Sequence, residues 1–225
     1  MMKQPPFETE RIYHVYNHGN GDDNLFRTEE NYRYFLQKYA EYIHPVAATY
    51  AYCLMPNHFH LVIRIRSAEE LRAFYRLKKK LPEETVEAKT LGGFETLQAL
   101  ESGELGLELL QRLVSQQFSH FLNGYTQAFN KRHDRSGSLF RQNIKRKLIT
   151  DDTYYTRLIR YVHYNPVHHG FVRHLDDWPH SSYHAFLSVQ PTRLCREEVL
   201  EWFGDRNNFL ESHCEIPTIP LDFEL

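Results

Sequence analysis

The chain has 225 residues, which at roughly 100 to 200 residues per domain allows one large domain, or one domain with an insertion and a tail. Apolar residues at 41% and charged residues at 25% exclude a chain disordered throughout. A net charge of −2 and a pI near 6.7 speak, at face value, against a nucleic-acid-binding protein, whose usual footprint is basic.

From the N-terminus, MMKQPPFETE lacks the basic start and apolar stretch of a secretion signal. The longest apolar-leaning run, Pro45 to Pro56, is too short for a membrane span. Cys53, Cys195 and Cys214 form no CxxC pair, so neither a zinc knuckle nor a redox dithiol is indicated. A soluble cytoplasmic protein without membrane contact is expected.

Ile12 to Asn17, IYHVYN, is rich in β-branched and aromatic residues and reads as a strand. Thr28 starts a helix whose Tyr32, Phe35, Leu36, Tyr39 and Ile43 recur at helical spacing up to Pro45. Val46 to Leu54 and His58 to Arg66 are strand-like and flank Met-Pro-Asn, a hairpin connection. Leu71 to Leu81 is helical in pattern. The acidic stretch 82–107 contains Gly92 and Gly93 and reads as an insertion or flexible linker. Glu108 to Arg132 forms a long helix, Ser138 to Ile149 a strand, and Asp151 and Asp152 open a helix that Pro166 should end. This order matches an α+β fold, a ferredoxin-like (RRM-like) β-α-β-β-α-β sandwich with an antiparallel sheet and extra helices.

The net charge conceals blocks. Residues 64–80 sum to +5 and 131–147 to +6, while 83–108 and 195–225 each sum to −6. Near-neutrality is a cancellation, so a local basic surface remains compatible with it, although a basic run alone is more often a solvated face.

Two constellations carry chemistry. In HFHLVIRI, alternation along a strand puts His58, His60 and Val62 on one face and Phe59, Leu61 and Ile63 on the other. The imidazoles then stand about 6 to 7 Å apart, within reach of one divalent cation. With one layer of helices under the apolar trio, the opposite sheet face should be open. An exposed or satisfied strand histidine is the competing reading of this pair alone. On the helix after Asp152, Tyr161 and Asn165 are four residues apart and share a face. A phenol one turn from an amide oxygen can present a nucleophile beside a metal ligand, although such tyrosines are more often core or surface rings.

These residues resemble a known family. MPNHFHLVI is similar to the His-hydrophobic-His signature of the single-tyrosine HUH transposases, and GSLFRQNIKRKLITDDTYYTRLIRYVHYNPVHHGFV resembles their strand and tyrosine-bearing helix. IYHVYNHG and WPHSSYHAF also fit, most closely the REP-associated tyrosine transposase branch. The resemblance implies a catalytic domain over residues 8–187, interrupted by the insertion, with an acidic tail at 188–225. It implies His58 and His60 as metal ligands, Asn165 as the third, Tyr161 as nucleophile, and Mg²⁺ or Mn²⁺ as cofactor. One departure is His18, where many relatives carry Arg.

The implied activity is metal-dependent nicking and strand transfer on single-stranded DNA with hairpin or palindromic elements, through a 5′-phosphotyrosine, as in transposition. A domesticated, non-cutting binder of structured single strands is the alternative; an unrelated HxH metal hydrolase is a weaker one. Many relatives are homodimers exchanging tyrosines, and some hairpin-binding relatives act alone. Aromatic and basic side chains should line the strand's path. The candidates are Tyr13, His14, Tyr16 and His18 on the first strand, Arg141, Lys145, Arg146 and Lys147, and Lys78 and Lys79 at a helix end.

Overall fold

The computed structural model describes residues 4–79, 103–151 and 153–217. Most of the stretch read as an insertion, and the last residues of the tail, lie outside the described residues. The elements in order are β1 (Ile12–His18), α1 (Glu29–Tyr42), β2 (Ala47–Met55), β3 (His58–Ile65), α2 (Ala68–Lys79), α3 (Gly103–Arg132), β4 (Lys145–Ile149), α4 (Thr153–His168), α5 (Tyr183–Leu187), α6 (Arg196–Trp202) and α7 (Arg206–Cys214). A short 3₁₀ turn at Leu175–Asp177 links α4 to α5.

The sheet order is β2-β3-β1-β4 and every pairing is antiparallel, the arrangement expected of the ferredoxin-like order. Alternation divides the side chains between two faces. On one, Tyr13, Val15, Phe59, Leu61 and Ile63 pack with Phe35 and Tyr39 of α1 and Phe118, Phe121 and Tyr125 of α3. α1 starts where the Asn31 Oδ1 accepts from the backbone N–H of Thr28, satisfying a donor at the helix start.

The other face is not open, contrary to the expectation of a single helical layer. Ile12, Ala51, Cys53, Val62 and Ile149 meet Leu158, Ile159, Tyr161 and Val162 of α4 in a second core, which Tyr183, Phe186, Val199 and Phe209 complete. The acidic segment after residue 188 therefore contributes packed helices as far as α7. Together with the residues just before it, this segment also covers the outer edge of β2, where the Cys195 N–H donates to the Thr49 carbonyl at 2.9 Å and the Ser182 N–H to the Tyr52 carbonyl at 2.9 Å. An unpaired strand edge is thereby removed.

Two local expectations are corrected. The strand expected from Ser138 begins only at Lys145; before it, an isolated bridge joins Phe140 to Gly19. Pro166 does not end α4, which runs to His168 and closes around Gly170 at φ +71°. A proline removes only its own N–H bond, and glycine takes the left-handed position after the helix at no steric cost.

Candidate active site

β1 and β3 carry the site because their pairing brings short-range patterns into long-range contact. Tyr16 lies opposite His60 and His18 opposite His58, while His14 lies diagonally beside His60. Gly19 makes the end of this ladder possible. A Cβ there would sit 2.1 Å from the Asp23 carbonyl oxygen, and its N–H donates to the Asn57 carbonyl at 2.7 Å. Asn57 is thus held in the tight β2–β3 turn immediately before His58.

His58 and His60 are buried, with ring centroids 5.1 Å apart and planes perpendicular. Asn57 Oδ1 lies 2.8 Å from His58 Nδ1, and Asn165 Oδ1 lies 3.3 Å from His58 Nε2. His14 Nε2 lies 2.9 Å from His60 Nδ1. The remaining His60 nitrogen, Nε2, is buried and has no hydrogen-bond partner among the described residues. Tyr161, 3% exposed, meets the His60 and His14 rings edge-on at centroid distances of 5.6 and 6.0 Å. α4 places it there because Leu158, Ile159 and Val162 bury the same helix in the second core.

Burial dominates the electrostatics. It lowers the His58 pKa to about 3, with the Asn165 contact acting in the opposite sense. Burial, aided by the Lys147 charge, lowers His14 to about 3. His60 is driven well below the ordinary histidine value, first by burial and then by the neighbouring imidazoles. All three rings are therefore neutral near pH 7, the state in which an imidazole nitrogen binds a metal.

The donor set fits a divalent cation. A neutral His58 that donates from Nδ1 to Asn57 Oδ1 leaves a lone pair on Nε2, facing the Asn165 oxygen, which is also an acceptor. A cation held there would satisfy both, and could use the orphaned Nε2 of His60 as well. Among the described residues no group of three His, Cys, Asp or Glu side chains is placed to hold a metal; this set is two imidazoles and an amide oxygen, a mixture suited to a borderline or hard divalent ion.

The other candidates divide by strand face. Tyr16, His18, Lys145 and Lys147 share the face of the two histidines. His18 stacks on His58 at 4.7 Å, and Lys147 donates to the Tyr154 hydroxyl at 2.9 Å. Lys145 and Arg141 are exposed and, with Tyr16, line an open groove that continues towards α3. Tyr13 is corrected as a DNA contact: one residue out of phase with Tyr16, it is buried in the first core and donates to the Pro6 carbonyl at 2.7 Å. Arg146 points to the opposite face, its guanidinium 4.2 Å above the Phe7 ring, yet it is only half-buried and lines the same groove as Arg141 and Lys145. His14 is on the right face but 1% exposed and engaged with His60, so it is not a surface for DNA. Lys78 lies in the last turn of α2, which packs through Leu71 and Phe74 into the core on the far face of the sheet, away from the histidines; the Lys79 side chain lies outside the described residues.

Sequence reasoning missed Asn57 and His169. Asn57 lies inside MPNHFH, adjacent to the candidate ligand His58. His169, whose ring centroid is 5.1 Å from that of His58, stands four residues after Asn165, and this helical spacing was its signal.

No family model matches the chain. A curated Haemophilus influenzae protein named a REP-associated tyrosine transposase is 33% identical over 76 residues, 33% of this chain and 43% of that one. The matched region thus spans less than half of the relative's length. A solved structure of a REP-associated tyrosine transposase bound to a REP hairpin superposes with a TM-score of 0.48 at 16% identity, covering 85% of this chain and 88% of the other. Among the described residues no helix is long and apolar enough to cross a membrane. Through the Haemophilus relative, the chain shares recognisable sequence with the REP-associated tyrosine transposases, the family that its motifs resemble.

Proposed function

We propose that this protein is a metal-dependent nickase and strand transferase for single-stranded, hairpin-containing DNA, with Tyr161 as nucleophile. The observation that carries the reading is the convergence of His58 Nε2, the unpartnered His60 Nε2, Asn165 Oδ1 and the Tyr161 ring at one end of the sheet. The choice of DNA rests on the family resemblance and on the relative's name.

His58, His60 and Asn165 would hold Mg²⁺ or Mn²⁺, which supplies Lewis-acid polarisation of a phosphoryl oxygen. The protein's own part is to seat the phosphodiester beside Tyr161 and exclude bulk water, which the second core does by burying the phenol. The Tyr161 oxygen forms a bond to phosphorus as the bond from phosphorus to the 3′ oxygen breaks. The phenolic proton departs and the leaving oxygen gains one, giving a free 3′-OH and a 5′-phosphotyrosine. Because the new ester retains the diester's energy, a second 3′-OH can reverse the step onto a different strand. Within the chain the Tyr161 ring already stands 5.6 Å from that of His60, an arrangement that needs no exchanged tyrosine. Lys145, Arg141 and Tyr16 would guide the strand.

Incubating the protein with a labelled hairpin and Mg²⁺ or Mn²⁺ should give an adduct that survives denaturation. Tyr161→Phe should abolish it; an equal adduct from this variant would remove the assignment. One observation favours the non-cutting alternative, namely that Tyr161 is only 3% exposed. Hairpin binding unaffected by divalent metal, with no adduct on any hairpin from the gene's own flanks, would establish that alternative.

A further inference from the structure

We infer that Asn57 and His14 are positioning residues that hold His58 and His60 as the tautomers whose Nε2 lone pairs face the site. The inference rests on the metal-binding reading of that site. It follows from the proton inventory of the two rings. A neutral imidazole carries one N–H and one lone pair, and the partner at one nitrogen decides which is presented at the other.

For His58, both ring nitrogens face amide oxygens that can only accept, Asn57 Oδ1 at 2.8 Å from Nδ1 and Asn165 Oδ1 at 3.3 Å from Nε2; the shorter contact draws the single proton to Nδ1 and leaves the lone pair on Nε2. For His60, the 2.9 Å contact with His14 permits two arrangements. If His14 donates from Nε2, His60 must carry its proton on Nε2, a buried N–H with no partner and no capacity to bind a cation. If His60 donates from Nδ1, its Nε2 lone pair is presented and His14 carries its own proton on Nδ1. Only the second arrangement makes use of the buried, unpartnered nitrogen. His14 and Asn57 approach from opposite ends of the pair, one from β1 and one from the β2–β3 turn, so each ring is gripped at Nδ1. Partners of this kind raise ligand basicity and fix ring orientation, and their loss typically weakens metal affinity about 10- to 100-fold.

The test uses the full chain and Mn²⁺, read by the loss of the free-ion electron paramagnetic resonance signal and independent of DNA cleavage. Asn57→Leu and His14→Phe should each raise the Mn²⁺ dissociation constant about 10- to 100-fold. Asn57→Asp and His14→Gln, which restore an acceptor, should remain near the wild type. Long-range ¹H–¹⁵N correlation spectra of the metal-free wild type should show His58 and His60 as Nδ1–H tautomers, a signature that a merely structural role would not require. If His14→Phe does not fold, His14→Gln and the wild-type spectra decide the matter. Wild-type Mn²⁺ affinity in folded Asn57→Leu and His14→Phe, or Nε2–H tautomers in the spectra, would overturn the positioning role and leave the metal site standing. Absence of Mn²⁺ binding in the wild type would overturn both.

Discussion

Lowering the pH should loosen the packing of α7 on α4, and one histidine makes the effect measurable. His213 is nine-tenths buried, its ring centroid 4.1 Å from that of Phe209 with the planes tilted by 35°, and its Nε2 lies 3.0 Å from His163 Nδ1. Burial lowers its pKa to about 4, although the Phe209 carbonyl at Nδ1 acts in the opposite direction. The unfolded chain, with an ordinary value near 6.5, binds the proton first, so stability is fully present above about pH 6.5 and is lost as pH falls towards 4. A folded value of about 4 implies a loss of about 2 kcal/mol at pH 5 and about 3 kcal/mol at pH 4 from this residue. Since His14 and His58 are also depressed, to about 3 each, the wild type as a whole should lose more than this. His213→Gln isolates one contribution: the side chain no longer titrates and can still meet His163. Urea unfolding in EDTA, followed by tryptophan fluorescence at pH 7, 6 and 5, should show the variant losing about 2 kcal/mol less than wild type between pH 7 and 5. Superimposable pH profiles for the two proteins would refute the reasoning.

Lys145→Ala and Arg141→Ala should each weaken binding of single-stranded DNA and reduce the log–log salt slope by about 0.7. Filter binding between 50 and 200 mM salt, roughly the range over which such contacts are screened, measures this; slopes unchanged in both variants would contradict the groove assignment. Gly19→Ala should cost about 1 to 3 kcal/mol by forcing a Cβ against the Asp23 carbonyl. Its melting temperature should fall, and Mn²⁺ binding should weaken with it, because Gly19 ties β1 to Asn57.

Alternation already contained one correction that the sequence reading overlooked. If Tyr16 shares a face with the histidines, Tyr13 cannot; if Lys145 and Lys147 do, Arg146 cannot. Sequence neighbours of like chemistry were treated as one patch, although a strand always divides them. The ferredoxin-like order, the hairpin before His58 and the shared face of Tyr161 and Asn165 were legible because each depends on a repeat within one element. The second helical layer also had a local signal, in Leu194, Val199, Trp202, Phe203 and Phe209, but the acidic charge around these residues concealed it.

The partners within the site were illegible for a different reason. His14 and His60 are separated by 46 positions, and His58 and Asn165 by 107. No periodicity within either segment encodes which ring nitrogen will meet which partner. That choice depends on the β1–β3 register: a one-residue slip would turn His14, Tyr16 and His18 to the far face and bring Tyr13, Val15 and Asn17 to the histidines. The register is held by burial, since the same slip would drive Tyr13 and Val15 out of the first core and polar rings into it. The apolar pattern of β1 therefore determines more than stability. By fixing which residues lie opposite His58 and His60, it sets the hydrogen bond at His60 Nδ1, and through that bond the chemical state of the nitrogen on the other side of the ring.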